Sequence, residues 1–235
     1  MISEVIMSYC LWKNYQSKAG NTDYRLRYYD DYLKENCVFF RHLLEKRFAG
    51  MSEVNIAIIG GGNGWELTAI NEILEKTGLD IDVSCTVVDN YKWPINEIDS
   101  NRGRNIKDIV FVKKDMFDFL MDEDNISRFD LLYFSRCINY TDLHECGYLD
   151  RCTWDGNSQE IFAILKDVLS EQHILTAFAQ IELGKQGYTM DVNNNFKRIF
   201  GFGEGLRIKC PASRTSLYLW SGGDVTVPQE GNFAS

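Results

Sequence analysis

Four glycines fall within five positions at residues 60–64, between an apolar run and a helical pattern. The apolar run at residues 55–59 is typical of a buried strand, and residues 64–76 carry apolar side chains at spacings of three and four. Glycine lets the backbone adopt positive φ and approach a ligand closely. The first amides of the following helix are unpaired donors that suit an anionic group. A purely structural turn is the alternative, but the number of glycines and their context favour a ligand-binding loop.

The spacing of these glycines distinguishes between known nucleotide-binding loops. The dinucleotide fingerprint G-x-G-x-x-G fails, because its last position is Trp65 when counted from Gly60 and Leu67 when counted from Gly62. A Walker loop needs Gly-Lys followed by Ser or Thr, which is absent. The spacing that fits is G-x-G-x-G, formed by Gly60, Gly62 and Gly64.

Strand-like and helix-like segments alternate along the middle of the chain. Helical patterns cover residues 64–76 and 159–169. We predict strands near residues 55–59, 83–88, 109–112, 129–134 and 173–178, and a closing pair of strands at 207–209 and 217–220. This alternation implies βαβ units and a largely parallel sheet, whose ligands bind beyond the carboxyl ends of the strands.

Three zones differ in character, and we predict an N-terminal helical cap at 1–50, a main domain at 51–221 and a flexible tail at 222–235. Apolar and aromatic residues recur from Tyr24 to Phe48 at helical spacing, with a break near Asn36. We expect the sheet to assemble without this segment, which would cover the sheet and affect substrate binding more than folding.

Charge and cysteine usage restrict the classes of partner. The chain has 34 acidic and 25 basic residues, so broad attraction to nucleic acid or to an anionic membrane is disfavoured, although a local basic groove stays open. Seven cysteines without a C-x-x-C pattern favour a reducing compartment. We therefore expect a cytoplasmic location, with the nucleus as the alternative. No apolar run approaches the roughly 20 residues that a membrane-spanning helix needs.

With these features in place, residues 54–181 resemble the class I S-adenosylmethionine-dependent methyltransferases. The resemblance implies an α/β fold, with a Rossmann-like, seven-stranded, mostly parallel sheet and flanking helices, and S-adenosylmethionine as the cofactor. In that family an acid at the end of the second strand holds the ribose hydroxyls, and Asp89 matches it. A polar or acidic residue after the third strand receives the adenine amino group, and Asp115 matches that position.

The resemblance implies a cofactor-binding set along the glycine loop and the strand ends. Its members are Gly60, Gly61, Gly62, Asn63, Gly64, Glu66, Asp89, Asn90, Asp115, Met116 and Ser135. One departure concerns the acid that the family often has two residues before the first glycine. Ile58 stands there, and Glu66 is the candidate substitute.

The loop at residues 139–154 follows the fourth predicted strand, and in this fold such a loop borders the methyl group and its acceptor. Tyr140 and Trp154 are candidates for an aromatic wall, and Tyr28 is a candidate for covering or stacking on a substrate, with plain packing as the alternative. Methyl transfer from a sulfonium needs alignment and exclusion of water more than a dedicated base, so we name no catalytic residue.

We also expect no metal site. His144, Cys146 and Cys152 lie close together in the sequence, but a fourth ligand and regular spacing are missing.

Two related activities and one different function stay in consideration. Spermidine synthases resemble the chain at residues 58–64, but residues 135–138 contain no acid to take an amine proton, so aminopropyl transfer is disfavoured. A fainter similarity of the glycine loop, the aromatic N-terminal segment and Trp93 to eukaryotic ribosomal-RNA uridine methyltransferases keeps RNA open as acceptor beside the favoured small molecule or protein. The alternative function is a non-catalytic protein of this fold that binds the cofactor or a partner.

Overall fold

The helices and strands are built from segments close to those that the sequence predicts. The computed structural model describes residues 36–61, 64–89, 103–126, 128–135, 166–169, 174–181, 207–210 and 215–221. The strands are β1 (Glu53–Ile59), β2 (Asp82–Asp89), β3 (Asp108–Lys113), β4 (Leu131–Ser135), β5 (Leu175–Ile181), β6 (Arg207–Cys210) and β7 (Thr215–Ser221). The helices are α1 (Trp65–Thr77), α2 (Met116–Leu120) and α3 (Glu123–Ile126).

The described part of the chain also contains helix before the first strand and before β5. Residues 36–42 are α-helical and continue into a π-helical turn at Leu43–Arg47. We call residues 36–47 the N-terminal helix. Residues 166–169 are helical and fall within the predicted helix at 159–169.

The strands form one sheet of seven in the order β3-β2-β1-β4-β5-β7-β6. The first five strands in this order pair in parallel. Strand β7 runs antiparallel to both of its neighbours, β5 and β6. The predicted α/β class with a mostly parallel sheet is confirmed, and so is the closing pair of strands.

Strand alternation divides the core into two layers. Along β1, Val54, Ile56 and Ile58 belong to one buried cluster together with residues of α1 and of the N-terminal helix. The intervening residues Ala57 and Ile59 belong to a second cluster, on the opposite side, that includes side chains of α2. This follows from the two-residue repeat of a strand, which sends successive side chains to opposite faces of the sheet.

The N-terminal helix packs directly on the central strand β4. The ring centroids of Phe39 and Phe40 lie 5.7 and 5.1 Å from that of Tyr133. The Tyr133 hydroxyl donates a buried hydrogen bond of 2.8 Å to Oδ1 of Asn36. The described part of this segment therefore packs on the sheet and contributes side chains to the core, and the expectation that the sheet can assemble without it stays a prediction. The zone boundaries at residues 50 and 221 stay predictions.

The two short helices after β3 were not predicted. Helix α2 has five residues and α3 has four, which is too short for a helical repeat to show in the sequence. Burial of Phe119 and Leu120 in the second cluster holds α2 against the sheet. Among the residues that the structure describes, no helix is long and apolar enough to cross a membrane.

The packing of the N-terminal helix leads to a stability prediction. We expect Phe40→Ala to lower the free energy of unfolding by about 3–5 kcal/mol, because it empties a fully buried site between the helix and β4. Val38→Ala on the same helix is the matched control, since Val38 is 51% exposed, and its effect should stay within about 0.5 kcal/mol. Chemical denaturation of both variants measures the difference. Equal effects would show that this helix does not stabilise the sheet.

Candidate functional site at the carboxyl edge of the sheet

The strand order reverses beside β1. From β1 the chain adds β2 and then β3 on one side, and it then returns to add β4 and β5 on the other. In open parallel α/β sheets, a crevice forms beyond the carboxyl ends of the strands on either side of such a reversal. Ligands of open parallel α/β sheets bind in this crevice.

The glycine loop leaves β1 at this crevice. The Gly60 amide donates to the carbonyl of Val88 at 2.7 Å, and the Gly64 amide donates to that of Gly61 at 2.8 Å. Gly60 and Gly64 have φ of 69° and 80°, in the left-handed region that favours glycine. A Cβ atom on Gly61 would lie 2.8 Å from methyl groups of Ile58 and Val87, too close for any side chain there. The backbone therefore favours glycine at positions 60 and 64, and the neighbouring side chains favour it at position 61.

A buried polar pair joins the start of α1 to the end of β4. Ser135 Oγ donates a hydrogen bond to Oε1 of Glu66, and the two residues are only 7% and 1% exposed. Glu66 lies in the first turn of α1, where the helix dipole favours a carboxylate. The pair joins the start of α1 to the end of β4, so a buried carboxyl acceptor lies beside the glycine loop.

The sheet register brings the predicted acids to the same edge. Ile59 is paired with Val88 on one side and with Phe134 on the other, so the following residues, Gly60, Asp89 and Ser135, stand level with one another. In the next strand, Asp89 is paired with Lys113, two residues before Asp115. Both acids are partly exposed. Two carboxylates next to the glycine loop can accept hydrogen bonds from the hydroxyl and amino groups of a ligand.

The predicted site residues divide into two groups. Those that the structure brings to this edge are Gly60, Gly61, Gly64, Glu66, Asp89, Asp115, Met116 and Ser135. Those that lie outside the described residues are Gly62, Asn63, Asn90, Tyr140, Trp154 and Tyr28. The sequence analysis assigned Glu66 and Ser135 to the same cofactor-binding set. It did not predict their hydrogen bond, because 69 positions separate the two residues.

One residue at this edge was missed by sequence reasoning. The Lys114 amide donates to the carbonyl of Asp89 at 3.0 Å, which extends the pairing of β2 and β3 beyond the end of β3. Its side chain points to the α2–α3 junction, where Nζ lies 2.9 Å from Oδ2 of Asp122. A lysine that precedes an aspartate is too common in sequences to predict a contact. The contact between Lys114 and Asp89 becomes visible only from the register of β2 and β3.

Ile58 occupies the position where the family often has an acid, and it is fully buried. Its side chain belongs to the same hydrophobic cluster as Tyr133 and Leu67. An ionised group would be costly there. Among the described residues, the buried acid is Glu66, which lies in the first turn of α1 and not in β1.

The described thiols do not resemble nucleophiles. Burial raises the pKa of Cys85, and burial together with the nearby Glu72 carboxylate raises the pKa of Cys37 to about 12. Both thiols therefore stay protonated near neutral pH. Among the described residues, no group of three or more His, Cys, Asp or Glu side chains could hold a metal ion. The predicted weak candidates His144, Cys146 and Cys152 lie outside them.

No family model matches the sequence, and no curated protein matches it either. Solved structures do match. Monomeric WbdD is 10% identical, with 83% of this chain and 42% of that chain covered and a TM-score of 0.56. A candidate class I S-adenosylmethionine-dependent methyltransferase from Listeria monocytogenes is 17% identical, with 83% and 61% covered and a TM-score of 0.48. The plantazolicin methyltransferase BpumL, solved with a monoazolic desmethylPZN analog and SAH, is 14% identical, with 85% and 72% covered and a TM-score of 0.46.

At these identities the likeness concerns the fold. The chain shares the Rossmann-like α/β fold of part of WbdD. It spans 61% and 42% of the length of the Listeria protein and of WbdD.

The buried pair in the crevice leads to a second prediction. We expect Ser135→Ala to lower the free energy of unfolding by about 1–3 kcal/mol, because the buried Glu66 carboxyl loses the hydrogen bond that the Ser135 hydroxyl donates. Ser84→Ala, at a partly buried position of β2, is the matched control. Thermal and chemical denaturation measure both. Equal and small losses would show that the Glu66–Ser135 contact contributes nothing to stability.

Proposed function

We propose that the chain is an S-adenosylmethionine-dependent methyltransferase. The observation that carries the proposal is the position of the glycine loop, level with Asp89 on one side and with the Glu66–Ser135 pair on the other. Parallel α/β sheets bind nucleotide-like ligands at this place. The loop spacing G-x-G-x-G supports a sulfonium nucleoside over a dinucleotide, whose fingerprint the chain lacks.

The described residues fit such a cofactor. The backbone at Gly60 and Gly64 needs φ values that favour glycine, so no side chain at these positions stands between the loop and a ligand. Asp89 would hold the ribose hydroxyls, and Asp115 with Met116 would border the adenine. The part of the site that binds the nucleoside would also include Gly62, Asn63 and Asn90. Glu66 and Ser135 would border the methionine end, where the sequence has no acid at position 58.

The cofactor supplies the activated methyl group, so the chain has to bind, orient and exclude water. None of the described residues is assigned as a base, because in-line displacement at a sulfonium needs only a correctly aligned acceptor. Tyr140, Trp154 and Tyr28 are proposed to contact the acceptor. We favour a small molecule or a protein side chain, since a net charge of −9 opposes a long polyanion.

A second candidate function is a non-catalytic protein that binds the cofactor or a partner. The buried position of Ile58 favours it, because the usual acid of the methionine end is missing there. Cofactor binding is therefore compatible with both candidate functions. A methyl-transfer assay over possible acceptors distinguishes them.

Cofactor binding can be tested by calorimetry with S-adenosylhomocysteine. We expect the wild-type chain to bind and Asp89→Ala to raise Kd about 10- to 100-fold, because hydrogen bonds to a charged acceptor are lost. Asp82→Ala is the matched control, since Asp82 begins the strand that Asp89 ends and lies at the opposite edge of the sheet. A wild-type chain that shows neither binding nor a thermal shift at saturating ligand would refute the proposal.

Catalysis can be tested by a labelled-methyl screen over separate pools of small molecules, proteins and structured RNA. We expect label in the small-molecule or protein pool and little dependence of the rate on salt, because few phosphate contacts would have to form. Label in RNA alone, with a steep loss at higher salt, would contradict the acceptor preference. Intact cofactor binding without label in any pool would favour the non-catalytic alternative.

A further inference from the structure

Strand β3 is held to its surroundings by a lysine at each end. Before the strand, the Lys107 amide donates to the Val83 carbonyl at 2.8 Å, and its Nζ lies 2.9 Å from Oδ2 of Asp82. After the strand, the Lys114 amide donates to the Asp89 carbonyl at 3.0 Å, and its Nζ lies 2.9 Å from Oδ2 of Asp122. Both arrangements contain a lysine–aspartate ion pair, and Lys107 Nζ also lies 3.8 Å from Oε1 of Glu53, but only the second arrangement lies at the candidate site.

The partner of Lys114 belongs to a small polar network. Oδ2 of Asp122 also accepts from the side-chain amide of Asn125 at 2.8 Å, and the Asn125 backbone amide donates to the Asp122 carbonyl at 2.9 Å. Arg128 donates to Oδ1 of Asn125 at 3.0 Å. The hydrogen bond from Lys114 lowers the pKa of the Asp122 carboxyl, so this acid is ionised at neutral pH. The network ties the end of β3 to the start of α3.

We infer that Lys114 is a positioning residue that determines the separation of Asp89 and Asp115. Its backbone binds the first acid's carbonyl, and it immediately precedes the second acid. Its side chain is anchored to Asp122, beyond α2. This inference rests on the proposed function, in which these two acids hold the two parts of one nucleoside.

The physical reason lies in the position of Asp115 at a junction. It follows the end of β3 and precedes α2, and its carbonyl accepts from the Phe119 amide at 3.0 Å. The sheet ladder reaches Lys113 but not Asp115. The ion pair adds a further tie between the end of β3 and the segment beyond α2, beside the Lys114–Asp89 backbone hydrogen bond and the burial of Phe119 and Leu120. A small displacement of one acid relative to the other weakens the binding of a ligand that has to contact both acids.

The expected effect is modest. The side chains of Lys114 and Asp122 are 34% and 38% exposed, so solvent screens the pair. We expect Lys114→Met to weaken S-adenosylhomocysteine binding about three- to fivefold, which is the upper part of the range for a partly exposed ion pair. Adenosine binding should weaken by the same factor, because the change concerns the nucleoside end. Lys114→Arg keeps the charge and should remain within about twofold of wild type.

Calorimetry on the full chain with these two ligands tests the inference through a double-mutant cycle. Asp122→Asn should weaken binding as much as Lys114→Met, and the double variant should be no weaker than either single one, because both remove one interaction. Lys107→Met is the matched control. It removes the equivalent pair at the other end of β3 and should leave both Kd values unchanged.

The possible results separate this inference from the proposed function. A Lys114→Met chain that binds both ligands as the wild type does would overturn it while the proposed function stands. Equal weakening by Lys107→Met would also overturn it, because the effect would then come from general stability of β3. Additive losses in the double variant would show that the ion pair is not the cause. Absence of binding by the wild-type chain would overturn both proposals.

Discussion

The parallel pairing of β1 with β2 on one side and β4 on the other determines where the candidate site lies. This double pairing places Gly60 level with Asp89 and with Ser135. A shift of one residue in either pairing would turn Asp89 or Ser135 to the opposite face of the sheet. Asn55 and Asp130 hold the β4 side in register, because the Asn55 amide donates to the Asp130 carboxylate and the Asp130 amide donates to the Asn55 carbonyl.

Strand β4 connects the site to the rest of the core through two polar side chains. Tyr133 bonds Asn36 of the N-terminal helix, and Ser135, two residues on, bonds Glu66 of α1. Both bonds are buried, where an unmatched polar group would be costly. Alternative packings of either helix would have to break such a bond, so β4 orients both helices on one side of the sheet.

The site combines buried and partly exposed groups. Gly61, Gly64 and the Glu66–Ser135 pair are buried, whereas Asp89 and Asp115 are partly exposed at the strand ends. Partly exposed acids are accessible to a ligand, and a packed backbone beside them limits the entropy lost on binding. The Lys114–Asp122 pair lies on the partly exposed side, between the end of β3 and the start of α3.

The sequence by itself determined the strands, helix α1, the glycine loop and the presence of acids at the end of β2 and after β3. These features depend on local preference and on a two-residue or 3.6-residue repeat, both of which are visible in the order of residues. Only the tertiary structure decided that the N-terminal helix belongs to the core, that Ser135 bonds Glu66, and that Lys114 joins Asp89 to Asp122. These contacts join residues far apart in the chain. They arise from the strand order and the register of the sheet, and no local pattern in a single sequence reveals either of them.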